Sequence, residues 1–173
     1  MIFYRLATKK DATAIAALHT KNWQLHYRGI FLQEYLDGPI IEERQKVWQQ
    51  RMQTPTPNQY IILAEEENQL LGFGCYFFDK DPKWGTLLDN LHVTFDRKGQ
   101  GIGKQLLQKG LEWSFSKDAS KPVYLWVYEG NDNAIAAYEK WNGRREDRQL
   151  HHNPDGGTAW AWRYIWELSL IHI

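Results

Sequence analysis

The strongest chemical signal in the sequence is the run Lys98-Gly99-Gln100-Gly101-Ile102-Gly103-Lys104. Three glycines within five residues let a backbone approach a ligand with no Cβ in the way. Between a strand and a helix, such a loop aims the free N–H groups of the helix start at a phosphate or pyrophosphate. Lys98 and Lys104 add positive charge. The spacing fits neither of two familiar phosphate loops. A P-loop sets four residues between its glycines and follows them with Lys-Ser/Thr, whereas Gly99 and Gly103 enclose three and Gln105 follows Lys104. The dinucleotide fingerprint places its last glycine three after the second, in an early βαβ unit, whereas Gly103 comes two after Gly101, past mid-chain. The plainer reading is a turn without a ligand, but a simple turn does not need three glycines opening a helix.

Other residues invite chemistry less strongly. Cys75 lies in an apolar run with no histidine near it in sequence, which suits a small buried side chain better than a nucleophile. His151-His152 with Asp155 suggests a metal, yet neighbours on a strand face opposite ways and do not easily share one ion. Arg144, Arg145 and Arg148 form a basic cluster, read as a solvated face or as a seat for an anionic group. Trp23, His26 and Tyr27 fall one helical turn apart, as core packing or as the wall of a pocket.

The elements that must position these residues alternate along the chain. A short strand is predicted over 2–7, and Thr8 or Asp11 caps a helix with Ala12, Ile15, Leu18 and Trp23 at helical spacing. Gly29 ends that helix, and Gly38-Pro39 opens another over 41–52 with Val47, Trp48, Arg51 and Met52 on one side. Strands follow over 59–64 and 69–78, joined at Glu67-Asn68, where Asn favours a tight turn. A third strand covers 84–94, a helix 103–116, a short apolar strand 123–127 and a helix 133–141. The final strands, 144–151 and 158–168, flank a turn at 153–157. With no repeat and no linker, the prediction is a single α+β domain over 1–173.

Composition narrows the function. Lys plus Arg and Asp plus Glu number 21 each, so the net charge is zero. That argues against gripping nucleic acid or an anionic membrane through an overall field. The N-terminus lacks the apolar core of a secretory signal. The apolar C-terminal stretch, 159–173, is broken by Arg163 and Glu167 and alternates like a strand, which excludes a spanning helix. A single cysteine rules out an internal disulfide and suits the cytoplasm. Nine Trp, nine Tyr and seven Phe predict an aromatic core, or a pocket lined by a few of the rings.

The segment Leu91-His92-Val93-Thr94-Phe95-Asp96-Arg97-Lys98-Gly99-Gln100-Gly101-Ile102-Gly103-Lys104 resembles the central motif of the GNAT superfamily of acyl-CoA-dependent N-acetyltransferases, a Q/R-x-x-G-x-G/A loop. Lys98 replaces the usual Arg or Gln, which keeps the charge but loses the guanidinium fork. Asn131-Asp132-Asn133-Ala134-Ile135-Ala136-Ala137-Tyr138-Glu139-Lys140 resembles the second motif of that family, N-x-x-A-x-x-x-Y-E-K. The resemblance spans nearly the whole chain. It implies a mixed, mostly antiparallel sheet of six or seven strands with about four helices. It also implies acetyl-CoA as co-substrate, no metal, and an amine acceptor, here a small molecule, or else a protein N-terminus or lysine. A non-catalytic coenzyme-A-binding module is the rival.

Carried over residue by residue, the resemblance places the pyrophosphate on Gly99, Gln100, Gly101, Ile102 and Gly103 between Lys98 and Lys104. The strand holding Leu91 and Val93 would pair with the pantetheine arm, with the Val93 N–H on the thioester oxygen. Asn131 would bind the same arm, and Tyr138 would protonate the departing thiolate, although by spacing alone Tyr138 is a half-buried core ring. Trp23 and Tyr27 would wall the acceptor site. Leu87 stands where many members carry the Glu base, leaving Asp89, acting through water, as the candidate. Simple alternation puts His92 on the opposite face from Asp89. The closing hairpin, with Trp160, Trp162 and Trp166, is read as a possible homodimer surface.

Overall fold

The computed structural model describes residues 1–170; residues 171–173, the end of the apolar C-terminal stretch, lie outside them. Among the described residues no helix is long and apolar enough to cross a membrane. Seven strands form one sheet, β1 (Phe3–Leu6), β2 (Gln59–Glu66), β3 (Gln69–Asp81), β4 (Gly85–Val93), β5 (Val123–Tyr128), β6 (Arg144–His152) and β7 (Thr158–Trp166). Their spatial order is β1-β2-β3-β4-β5-β7-β6. Every neighbouring pair is antiparallel except β4 and β5. The helices are α1 (Ala12–His26), α2 (Gln33–Leu36), α3 (Pro39–Gln53), α4 (Ile102–Lys117) and α5 (Asp132–Lys140). The four-residue α2 has too little periodicity to be read from sequence.

Alternation along β2 shows why the sheet is covered on both faces. Ile61 and Leu63 pack with Ile15, Trp48 and Met52 from α1 and α3. Ile62 and Ala64 pack with Leu106, Leu107 and Leu111 from α4. A strand apolar at both parities must be buried on both sides. The β2–β3 hairpin closes through Glu67 and Asn68, both at positive φ (50° and 63°), the backbone a two-residue turn demands. The α1 start is held at Asp11, whose Oδ2 accepts from the Thr8 N–H at 2.7 Å while Arg5 grips both carboxylate oxygens at 2.9 Å.

The hairpin tryptophans divide differently from the sequence reading. Trp166 is 1% exposed and belongs to the core, so it presents nothing to a partner chain. Trp162 and Trp160 lie beneath Arg145 and Arg148, with guanidinium carbons 4.6 and 4.5 Å from the ring centres. The reason is the β7–β5 pairing, which draws the end of β7 inward beside Val123.

Inside the α4 face, Thr86 Oγ1 and Ser114 Oγ form a buried pair at 2.6 Å. Ser114→Ala strands the Thr86 hydroxyl without a partner and is expected to destabilise the fold by about 1–3 kcal/mol. Adding Thr86→Val is expected to restore part of that loss, which urea unfolding of the single and double variants measures. A double variant no more stable than Ser114→Ala contradicts the pairing.

Candidate active site

A cavity of about 560 Å³ opens where β4 and β5 separate. These parallel strands pair only at Thr86–Val123 and Leu87–Tyr124. In the β3–β4 ladder Cys75 faces Asn90 and Tyr76 faces Leu88, so Asp89 is an extra, unopposed residue, a β-bulge. The bulge turns two consecutive side chains to the same face. Arg51 of α3 bonds both, Asp89 Oδ2 at 2.8 Å and Asn90 Oδ1 at 3.0 Å. Alternation then resumes, with His92 on that same side beside Asn22 of α1 and Leu91 and Val93 on the α4 side. The expectation that Asp89 and His92 point to opposite faces is thereby corrected, because the bulge shifts the parity by one residue.

The backbone of β4 follows from the same ladder. The Thr94 N–H donates to the Leu71 carbonyl at 2.8 Å. Antiparallel bonding alternates, so the N–H groups of Val93 and Leu91 turn away from β3 toward the gap left by β5. Both residues line the cavity. The Val93 carbonyl accepts from Asn22 Nδ2 at 3.0 Å, which fixes the strand end against α1.

Next in the chain, Gly99 and Gly101 sit at φ +79° and +82°, with nothing within 4 Å of where a Cβ would stand. Gly101 caps α4, whose first N–H groups are therefore free of intrahelical partners. Gly103 lies against Trp141, whose ring a Cβ would meet at 2.9 Å. Lys98 Nζ is 2.6 Å from His26 Nε2, and both groups are pushed down, mainly by burial. The side chain of Gln100 is taken by Arg97 at 2.9 Å, and Lys104 is exposed. This open glycine cradle at a helix start suits an anionic phosphate ligand.

Across the cleft, α5 presents Tyr138 and its cap, Asn131, to the cavity. The Tyr138 ring stands edge-on to Trp166, with centres 5.9 Å apart, and burial pushes its hydroxyl up to about 12. It stays protonated at neutral pH and is able to donate a proton. Trp23 and Tyr27 line the far end, where Tyr27 packs edge-on against Phe31 and Tyr128. Aromatic side chains thus supply both a core, with Trp48, Tyr76 and Phe73 fully buried, and a pocket wall.

The remaining candidates separate. Cys75 is buried at 0% exposure, and burial pushes its thiol far up, which disarms it as a nucleophile. His151 turns inward against Trp126, centres 4.7 Å apart, while His152 is exposed. The three arginines are engaged: Arg144 with Glu146 and Glu167, Arg145 with Glu139, and Arg148 with Glu129. The cavity also contains residues that sequence reasoning did not select, chiefly Arg44, Asn22, Trp126 and Tyr128. Arg44 lies seven residues before Arg51, and an arginine on the inward stripe of α3 was the available signal.

His92 and His19 link the site to stability. Burial pushes His92 down to about 3, helped by His26 and Lys98, and holds His19 well below the ordinary imidazole range. Groups depressed in this way contribute stability that is fully present above ~6.5 and is lost as the pH falls, because the unfolded chain binds the protons the fold refuses. The slope approaches about 1.4 kcal/mol per pH unit for each such histidine. His92→Gln is expected to flatten the loss between about pH 6.5 and about pH 4, read from urea unfolding across that range. An identical slope contradicts a neutral His92.

The sequence profile of the acetyltransferase (GNAT) family matches residues 16–143. The chain is 25% identical over 137 residues to the uncharacterized N-acetyltransferase YuaI of Bacillus subtilis, covering 78% of this chain and 76% of that protein. It is 30% identical over 80 residues to a B. subtilis spermine/spermidine N(1)-acetyltransferase, covering 43% of this chain and 53% of that one. In structure it is similar to the PaiA N-acetyltransferase of Thermoplasma acidophilum, solved in complex with coenzyme A, at TM-score 0.72 and 19% identity over 96% of this chain and 99% of that one. With three quarters of its length under the family profile and the matching mixed sheet around the cleft, the chain belongs to the GNAT acetyltransferase family and is an acyltransferase.

Proposed function

We propose that this protein transfers the acetyl group of acetyl-CoA directly to a primary amine of a small molecule, as a single cytoplasmic domain. The observation that carries the reading is the convergence on one cavity of Leu91 and Val93 of β4, of Lys98 and Gly103 at the two ends of the glycine loop, and of the protonated Tyr138 hydroxyl. The pyrophosphate rests on the backbone from Gly99 to Gly103, with Lys98 and Lys104 contributing charge. Leu91 and Val93 pair with the pantetheine arm, and Asn131 holds it from α5. The buried free thiol of Cys75 suits a reducing compartment.

The amine nitrogen attacks the thioester carbonyl carbon, and the Val93 N–H meets the developing oxyanion. As the C–S bond breaks, Tyr138 gives its proton to sulfur. The proton released from the amine passes through water to Asp89. Arg51 already holds that carboxylate at 2.8 Å, and burial leaves His92 too weak a base to draw a proton from an ammonium ion before attack. The acceptor therefore reacts as its neutral fraction. kcat/KM is expected to rise about tenfold per pH unit up to the pKa of the acceptor amine. A plateau near neutrality that Asp89→Asn abolishes would show a true enzymatic base instead.

Aromatic walls at Trp23, Tyr27 and Tyr128 suit the body of a small acceptor. One relative is named for spermine and spermidine, but a polycation needs carboxylates, and among the described residues the one lining this cavity is Asp89, already paired with Arg51. Release of coenzyme A thiol, followed with acetyl-CoA and a panel of amines, tests the reading, with the acetylated product identified by mass. Amine-dependent release supports it. Acetyl-CoA binding without release under any amine would favour a coenzyme-A-binding module.

A further inference from the structure

Among the described residues, Arg44 is the cavity arginine whose charge no carboxylate answers, whereas Arg51 is paired with Asp89. It projects from α3 beside Arg51, yet among the described residues it has no ion pair, and its Nε is cut off from solvent with no hydrogen-bond partner. Its neighbours are committed elsewhere. Glu43 accepts from the Tyr35 hydroxyl at 2.7 Å, and Asp89 is taken by Arg51 at 2.8 Å. What supports the guanidinium is the face of Trp23, 4.8 Å away, which orients it without neutralising it. Burial opposes its charge, but arginine does not give up its proton at physiological pH. A half-buried guanidinium with a free donor edge is costly in a fold unless another group completes it. Its planar fork matches a carboxylate, which accepts two parallel bonds.

We propose that Arg44 is the specificity residue of the acceptor site and that it receives a carboxylate carried by the amine substrate. The acceptor is then an amino acid, or a close analogue, whose apolar body lies against Trp23 and Tyr27 while its amine faces the thioester. This rests on the acetyltransferase reading for the identity of the amine, but the anion subsite stands on the unpaired guanidinium. With two arginines against one aspartate, this end of the cavity is cationic, which discriminates against amines lacking the carboxylate.

The test uses matched probes bound to the full chain saturated with coenzyme A, and again without it. 3-Phenylpropanoate and its uncharged amide, 3-phenylpropanamide, are titrated calorimetrically into wild type, Arg44→Gln and Arg44→Lys. The carboxylate is expected to bind wild type at least tenfold more tightly than the amide. Arg44→Gln is expected to bring the two within about twofold, and Arg44→Lys to keep a reduced preference, since it retains the charge but not the fork. Thermal melts identify any variant that has failed to fold, and the wild-type comparison stands without the variants. Equal binding of the two probes to wild type, or no binding of either, overturns the proposal, as does a preference unchanged in folded Arg44→Gln. In turnover, L-phenylalanine is expected to exceed phenethylamine at least tenfold in kcat/KM, and the reverse order overturns the proposal. Loss of acetyl transfer with the carboxylate preference intact would strike the acetyltransferase reading alone.

Discussion

Replacing Tyr138 by Phe is expected to lower kcat by about a hundredfold or more, the range of a positioned general acid, while the KM for acetyl-CoA changes little. The substitution removes one oxygen and leaves the ring, whose packing against Trp141, Tyr164 and Trp166 stabilises α5 on the sheet. A fold-level loss is therefore not expected, and an unchanged melting temperature would confirm that. Burial holds the hydroxyl at about 12, so the acid limb does not titrate across neutral pH. The wild-type profile follows the acceptor amine, not the tyrosine. Alternative acyl donors with a better leaving group need no proton on sulfur, so the deficit is expected to shrink with a thiophenyl ester. Turnover within a few-fold of wild type would remove Tyr138 from the chemistry.

Gly110→Ala is expected to be the most destabilising small substitution in the described chain. A Cβ there would stand 1.9 Å from Tyr76 Cζ and 2.3 Å from its oxygen. Tyr76 has no room to retreat, being 0% exposed in the core with its hydroxyl bonded to the Leu106 carbonyl at 3.0 Å. Helix α4 would have to lift from β3, loosening the element that presents the glycine cradle. Overpacking of this kind costs about 3 kcal/mol or more, a fall in melting temperature of roughly 6–12 °C for a chain of this size. Tyr76→Leu in the same protein vacates the space and is expected to restore part of the loss. A shift below about 2 °C for Gly110→Ala alone contradicts the packing described.

Much of this arrangement was legible in the sequence because its signals are local. The three glycines opening α4 and the Glu67-Asn68 hairpin each follow from backbone geometry that residue type reveals directly, whereas Asn131 and Tyr138 stood out only through the family resemblance. The bulge at Asp89 was not legible, since it arises from a register shift between β3 and β4 that neither strand encodes alone. That single extra residue decides which side chains share the cleft, and it placed Asp89 and His92 together. Arg44 was missed for a similar reason. Its place on the inward stripe of α3 was readable, but its lack of an ion-pair partner among the described residues was not, since an absent partner has no spacing. Trp166 showed the same parity as Trp160, but only the pairing with β5 buries it.

Thermal melting with and without acetyl-CoA, beside ATP as a control, tests the central claim most directly. ATP supplies an adenosine and phosphates but no pantetheine arm for the open edge of β4. At a hundred times its dissociation constant, acetyl-CoA is expected to add ~2.7 kcal/mol of apparent stability, a rise of roughly 5–11 °C, with little change under ATP. No rise with acetyl-CoA, or an equal rise with ATP, would contradict the account of the glycine cradle and the β4 edge as a coenzyme site.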